Sequence, residues 1–189
     1  MRFCSIASGS SGNCIYVGSD NTHVLVDIGI SGKKMETGLN SLELTGRDLD
    51  GILITHEHSD HIKGLGVISR KYGIPIYATA GTVDAMVRTN ALGKIPEGIF
   101  HEIQEDEPFM INDLKVNPFT IPHDAAQPVG YRLEHEGHSV GIATDLGKYN
   151  DYIIENLQGL DALLLEANHD IRMLQVGKYP YYLKQRILG

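Results

Sequence analysis

The sequence has little of what marks exported, membrane-bound or disulfide-stabilised proteins. It contains two cysteines, Cys4 and Cys14, and no apolar run approaches the roughly 20 residues that span a membrane. Its first residues, 1–7, turn polar too soon to form a signal peptide. We therefore expect a cytoplasmic protein with no membrane association, in which both cysteines are small buried thiols and not a disulfide.

The sequence also lacks an excess of positive charge. It has 16 Lys and Arg against 24 Asp and Glu, which gives a net charge of -8. This balance argues against a broad basic face but does not exclude a nucleic-acid substrate. The 189 residues, 42% of them hydrophobic, are enough for one domain with a sizeable core. With no linker, repeat or low-complexity tract, we predict a single domain over residues 1–189.

Strand and helix patterns alternate in the first half of the chain, and strands dominate the second half. The predicted strands cover residues 2–7, 13–18, 22–27, 51–54, 75–78, 99–103, 108–111, 113–121, 129–135, 138–143 and 160–166. The predicted helices cover residues 31–40, 61–72, 81–90 and 149–157, and another begins at Pro180. Two similar strand-rich units with outer helices predict an α/β fold of four layers, in which two packed sheets are flanked by helices.

The run Thr55–His61 (THEHSDH) holds three imidazoles and two carboxylates, directly after the apolar stretch Gly51–Ile54. Ionisable groups this close together are costly to desolvate unless something binds them. Imidazole and carboxylate suit zinc, manganese or iron. Because one tetrahedral site needs only three or four such groups, the surplus predicts two metals. The alternative is a solvated, histidine-rich turn.

Two further ligand candidates follow predicted strands downstream. His123 comes after the strand that ends at Ile121, and Asp145 comes after the strand that ends at Ala143. Alone, each has an ordinary explanation as a surface turn or a helix cap. With the histidine cluster, both are predicted ligands, and the carboxylate is suited to bridging two cations.

These six residues in this order resemble the ligand pattern of the metallo-β-lactamase fold superfamily. Three segments resemble its YycJ/WalJ/VicX branch, namely residues 8–13 (SGSSGN), 123–131 (HDAAQPVGY) and 166–170 (EANHD). The resemblance covers the whole chain. It implies an αββα sandwich and, for this branch, 5′-to-3′ exonuclease activity on DNA.

The resemblance assigns six ligands to two metals: His56, His58 and His123 to one, Asp60 and His61 to the other, and Asp145 to both. The family pattern has one more histidine on the second metal, and this sequence has no match for it. The chain ends at Gly189, about where the approach to that segment is expected. We therefore expect a fold that lacks its C-terminal part and a second metal that binds less tightly than the first.

The expected chemistry is hydrolysis of a phosphodiester by a hydroxide that two cations activate. In this scheme Asp60 and Asp145 orient the hydroxide, and His169 protonates the leaving oxygen or contacts the scissile phosphate. A structural role for His169 is the alternative. Two other functions stay open, namely hydrolysis of a small thioester or lactone on the same fold, and a non-catalytic metal-binding module. The sequence leaves the native metal and the choice between DNA and RNA undecided.

Other polar residues have weaker assignments. Asp27 ends a predicted strand and either orients metal ligands from behind or caps a turn or helix. Glu57 is expected to point away from the metals as a solvated or loop-stabilising residue. The remaining histidines are predicted to be ordinary surface or strand residues: His23, His101, His135 and His138.

Overall fold

Two packed β-sheets form the centre of the structure, a computed structural model that describes residues 1–166. Within this range the first sheet comprises, in spatial order, β1 (Arg2–Ala7), β2 (Cys14–Gly18), β3 (His23–Val26), β4 (Gly51–Leu53), β5 (Ile76–Thr79) and β6 (Phe100–Ile103). The second comprises, from one edge to the other, β7 (Phe109–Ile111), β8 (Leu114–Thr120), β9 (Val129–His135), β10 (His138–Ala143) and β11 (Ala162–Leu165).

Helices cover the outer faces of both sheets. The helices of the described residues are α1 (Gly32–Ser41), α2 (Ser59–Ile62), α3 (Leu65–Tyr72), α4 (Ala80–Arg88) and α5 (Asp151–Leu157). Apolar residues of α1, α3 and α4 pack on the first sheet, and Ile153 of α5 packs on the second. The order helix, sheet, sheet, helix confirms the predicted four-layer sandwich. None of the helices in the described range is both long and apolar enough to cross a membrane.

The alternation of side chains along the strands divides the core into layers. On β2, Ile15 and Val17 face the second sheet, whereas Cys14 and Tyr16 face the helices. Both faces of this strand are therefore buried, which explains its continuous apolar sequence. A hydrogen bond also joins the two sheets near the carboxyl end of β4, where Tyr131 Oη donates to the Ile54 carbonyl at 2.7 Å.

The predicted strands are present with boundary shifts of at most two residues, but one predicted helix is wrong. Instead of a continuous helix over residues 61–72, the chain forms α2 and α3 with Lys63 and Gly64 between them. The backbone N–H of Gly64 donates to the Ile28 carbonyl at 2.8 Å. A Cβ on Gly64 would lie 2.1 Å from the Ile30 carbonyl oxygen. This close approach to the segment after β3 separates the two helices.

The segment after β3 also approaches the histidine run. Gly29 lies so close to α2 that an added Cβ would stand 1.6 Å from the Asp60 carbonyl oxygen and 2.7 Å from the Asn13 backbone nitrogen. Both obstacles are backbone atoms, which cannot move aside by rotating a side chain. Only glycine fits there without displacing the loop that carries the candidate ligands.

We predict that Gly29→Ala lowers the free energy of unfolding by about 1–3 kcal/mol or more, the usual range for overpacking. Chemical denaturation followed by circular dichroism measures the change. Gly32→Ala is the matched control, because its added Cβ would meet only side-chain atoms, namely Ile68 at 3.0 Å and Val67 at 3.6 Å. Equal stability of the two variants would contradict the steric argument.

Candidate metal centre

The predicted ligands come together at one edge of the sandwich, where the carboxyl ends of β4, β8 and β10 meet. Residues after β4 supply the histidine run, the segment after β8 supplies His123, and the segment after β10 supplies Asp145. Ligand atoms of two triads each lie within 4.8 Å of one another, namely His56, His58 and His123, and His56, His61 and Asp145. His56 belongs to both triads and so lies at the centre of the cluster.

Distances within the cluster are short. Nε2 of His123 is 3.1 Å from Nδ1 of His58. Oδ2 of Asp145 is 2.7 Å from Nε2 of His61 and 3.5 Å from Nε2 of His56. Asp60 is more peripheral, with Oδ2 3.6 Å from Nε2 of His61. The structure therefore brings all six predicted ligands into one cluster, with Asp60 at its margin.

Two buried atoms at the centre of this cluster are incompletely satisfied. Nε2 of His56 has no hydrogen-bond partner among residues 1–166, and Oδ2 of Asp145 has only its close contact with His61 at 2.7 Å. Buried polar atoms without partners are costly, and native proteins rarely contain them. A divalent cation would satisfy both atoms, and imidazole with carboxylate is a donor set that zinc, manganese and iron accept. The residues present fit a metal ion.

The electrostatics of the cluster depend on burial and on Asp27. Burial, with the neighbouring His61 and His123, lowers the pKa of His56 to about 2, so this imidazole is neutral. Burial also acts to lower the pKa of His61, but the carboxylates of Asp27 and Asp145 raise it to about 10. A cation that takes the Nε2 lone pair of His61 must displace a proton, which makes its binding weaker at low pH.

Asp27 fixes the orientation of the imidazoles from behind. This fully buried carboxylate accepts hydrogen bonds from the Thr55 backbone N–H at 2.9 Å and the Thr55 hydroxyl at 2.8 Å, and Nδ1 of His61 lies at 2.8 Å. The Thr55 oxygen is also 3.0 Å from Nδ1 of His56. Because both Nδ1 atoms are engaged, both Nε2 atoms are left to face the cluster. The helix-cap alternative for Asp27 is wrong, since Ser31 caps α1.

Asn13 is a site residue that the sequence did not single out by itself. It is 1% exposed, and its Nδ2 lies 3.2 Å from Nε2 of His61. Its backbone N–H donates to the Asp60 carbonyl at 2.8 Å, and its Oδ1 accepts from the Gly9 N–H at 2.9 Å. The only sequence signal was its place at the end of the SGSSGN segment.

Glu166 and Gln127 form hydrogen bonds close in sequence or in space to the two downstream candidate ligands. Asp145 has a left-handed backbone with φ of 54°, and Oε2 of Glu166 accepts a hydrogen bond from its N–H at 2.8 Å. Gln127, four residues after His123, accepts from the Gly81 N–H at 2.7 Å through Oε1. Both residues fall in segments that carried the family resemblance, but their partners are distant in sequence.

Glu57 has the loop-stabilising role proposed for it. Its Oε1 accepts a hydrogen bond from the Ala126 N–H at 2.9 Å, which ties the histidine run to the segment that carries His123. Within this run, Asp60 and His61 lie in the helical turn α2, which begins two residues before the predicted helix.

The other histidines lie elsewhere. His23 Nδ1 is 2.9 Å from the Tyr16 hydroxyl, and His101 stacks on the Tyr77 ring. His135 and His138 lie near Asp113 and Asp161, respectively. These contacts agree with ordinary strand and surface roles. His169 lies outside the described residues, so its catalytic assignment stays a prediction.

Comparison with known proteins identifies the family. A family model described as a β-lactamase superfamily domain matches residues 22–178. The chain is 42% identical over 189 residues to "Exodeoxyribonuclease YycJ" of Bacillus anthracis and spans 71% of it. It is 41% identical over 189 residues to "Exodeoxyribonuclease WalJ" of Streptococcus pneumoniae and spans 70% of it. A metallo-β-lactamase structure from Cronobacter sakazakii superposes with a TM-score of 0.63 at 15% identity, over 74% of this chain and 54% of that chain. The chain belongs to the metallo-β-lactamase superfamily.

Within this superfamily the chain groups with the YycJ/WalJ branch, as its three resembling segments predicted. The match to the two exodeoxyribonucleases covers all of this chain. The likeness to the lactamase structure, at much lower identity, concerns the fold alone. The cluster of His and Asp at the sheet edge is accordingly suited to metal binding.

We predict that Asp27→Asn weakens zinc binding by roughly 10- to 100-fold, the usual effect of removing a group that orients a ligand. The amide keeps the size of the side chain but loses the charge that holds the Nδ1 proton of His61. Isothermal calorimetry measures the affinity. Asp113→Asn is the control, because Asp113 binds Ser19 and Thr22 at the opposite edge of the sandwich. Unchanged zinc affinity in Asp27→Asn would show that the carboxylate does not orient His61.

Proposed function

We propose that this superfamily member is a metal-dependent hydrolase that acts as a 5′-to-3′ exodeoxyribonuclease with two divalent cations. Zinc or manganese is the expected metal, and iron is a further candidate. The observation that carries the proposal is the convergence of two ligand triads on His56 in a chain 42% identical over its full length to a named exodeoxyribonuclease.

The proposed ligand sets differ from the two triads in three ways: His56 is assigned to the first cation only, Asp145 is shared, and Asp60 is added to the second set. One cation would be held by His56, His58 and His123. The other would be held by Asp60 and His61, and Asp145 would contribute to both sites. When bound, the cations would acidify a water molecule and neutralise the charge of the phosphodiester. The short contact between Oδ2 of Asp145 and Nε2 of His61 supports a shared carboxylate at this point.

The carboxylates of Asp60 and Asp145 are proposed to orient the attacking water. The side chain of Asp60 is 30% exposed and that of Asp145 is 17% exposed, whereas His56 and His61 are fully buried. The carboxylates therefore lie on the open side of the cluster, where water and substrate enter. Their oxygens can accept the water's hydrogen bonds and so direct its lone pair toward phosphorus.

Asn13 is proposed to donate a hydrogen bond to a phosphoryl oxygen. Its Oδ1 is held by the Gly9 N–H, which fixes Nδ2 toward His61. Nε2 of His61 would offer this amide no acceptor, either when protonated or when bound to a cation. A donor fixed in place before the reaction stabilises negative charge that develops on a phosphoryl oxygen.

The direct test is digestion of end-labelled duplex DNA with zinc, manganese or no added metal. We expect stepwise release of nucleotides from the 5′ end that stops when chelator removes the metal. Thioester and lactone substrates are run in parallel, because the same fold can host hydrolysis of small molecules. Turnover of those substrates without any DNA degradation would overturn the nuclease assignment. Metal binding without turnover of any substrate would indicate a non-catalytic module.

Replacement of Asp60 and of His169 by alanine is predicted to have different effects on metal content and turnover. Asp60→Ala removes a ligand, so metal content and nuclease rate should fall together. His169→Ala should leave metal content near normal and lower turnover by roughly 10²- to 10⁴-fold, the usual weight of a general acid or base. Elemental analysis and single-turnover kinetics separate the two effects. Loss of metal from His169→Ala would show that this residue is a ligand or a support.

A further inference from the structure

Exposed lysines flank the ligand cluster although the chain as a whole is acidic, with a net charge of -8. Lys63 follows His61 by two residues, and Lys148 follows Asp145 by three. Both lysines are exposed, and neither forms an ion pair within residues 1–166. Exposed lysines without an ion pair therefore lie within three residues of two candidate ligands, His61 and Asp145.

An exposed aromatic ring adjoins one of these lysines. Tyr149 is 76% exposed, more than any other large hydrophobic residue of the described range. Its ring makes no aromatic or cation contact within that range. A tyrosine with this exposure gains little from packing, so its place beside the candidate site calls for another explanation.

The segment that carries Tyr149 is fixed at both ends. At its start, Glu166 holds the Asp145 N–H, and the Gly147 N–H donates to the Pro122 carbonyl at 3.3 Å, next to His123. At its end, Oδ1 of Asn150 accepts from the Ile153 N–H at 3.0 Å and caps α5. Residues 146–149 thus form a short rim beside the first ligand triad, with Tyr149 exposed upon it.

We propose that Tyr149 stacks on a nucleobase of the DNA strand bound at the metal centre, with Lys148 and Lys63 contacting backbone phosphates on either side of the scissile bond. This inference rests on the proposed nuclease function and deepens it. Stacking on an aromatic ring tolerates any base sequence, as an exonuclease requires. Lysines placed beside the cluster supply local attraction that the acidic chain lacks elsewhere.

The stacking role is tested by fluorescence anisotropy of the metal-loaded protein with a nuclease-resistant, phosphorothioate-linked single-stranded oligonucleotide. Tyr149→Ala should weaken binding by ~5- to 150-fold, the range for loss of one stacked base. Tyr149→Phe and Tyr149→Trp should retain binding, because each keeps a ring. Met110→Ala removes another exposed apolar side chain, 56% exposed on β7, and serves as the control. An abasic oligonucleotide should bind wild type and Tyr149→Ala equally.

The phosphate contacts are tested by the salt dependence of the same binding. Lys63→Glu and Lys148→Glu should each reduce the slope of log affinity against log salt by about one. Arg47→Glu makes the same change of charge at an exposed position before β4, at the opposite edge, and should leave the slope unchanged. Equal slopes for all three variants would exclude the lysines from the DNA path.

Two outcomes would overturn the stacking inference while leaving the nuclease function intact. In the first, Tyr149→Ala binds and degrades DNA as wild type does. In the second, sizing shows that Tyr149→Ala abolishes a dimer while DNA affinity is unchanged, which would make the ring a self-association contact. The proposed function fails separately, if wild type degrades no DNA.

A final check is the ratio of kcat/KM for DNA to that for methyl p-nitrophenyl phosphate, a diester without a base. This ratio should fall in Tyr149→Ala.

Discussion

The buried carboxylate of Asp27 is the constraint on which the candidate centre depends. A fully buried charge is tolerated only when hydrogen bonds satisfy it, and Asp27 obtains these from Thr55 and His61. Its own N–H extends the pairing of β3 with β4 by donating to the Leu53 carbonyl at 2.9 Å. The carboxylate thereby fixes the ends of two central strands relative to each other, and the imidazoles of His56 and His61, both candidate ligands, take their orientation from that junction.

The close approach of three backbone segments follows from this arrangement. Asn13 donates to the Asp60 carbonyl at 2.8 Å, and Gly29 donates to the Asn13 carbonyl at 2.7 Å. The segments after β1, β3 and β4 therefore share one hydrogen-bonded junction below the ligands, and a Cβ at Gly29 would separate them. The cluster is held by backbone contacts as well as by side chains, which gives the ligands a defined geometry before any cation binds.

Whether a residue of this site can be predicted from the sequence depends on how close in the chain its interaction partners lie. The histidine run is contiguous, and His123 and Asp145 follow strongly patterned strands, so all three could be found from spacing. Asn13 and Glu166 act across 48 and 21 residues, and no local pattern encodes such contacts. The break between α2 and α3 was missed for the same reason, because the approach of Gly64 to the Ile30 carbonyl is a tertiary contact that overrides local helical periodicity.

The charge distribution separates two contributions to DNA binding. The open side of the cluster presents Asp60 and Asp145, which would repel a phosphodiester in the absence of cations. Lys148 and Tyr149 on the rim and Lys63 at the end of α2 are the residues proposed to attract DNA, and this attraction would require no metal. In the proposed arrangement the strand would be held at its flanks by these residues and would enter the centre only when cations reverse the local field. An acidic chain can act on an anionic polymer in this way, since only the immediate surroundings of the scissile bond need to be positive.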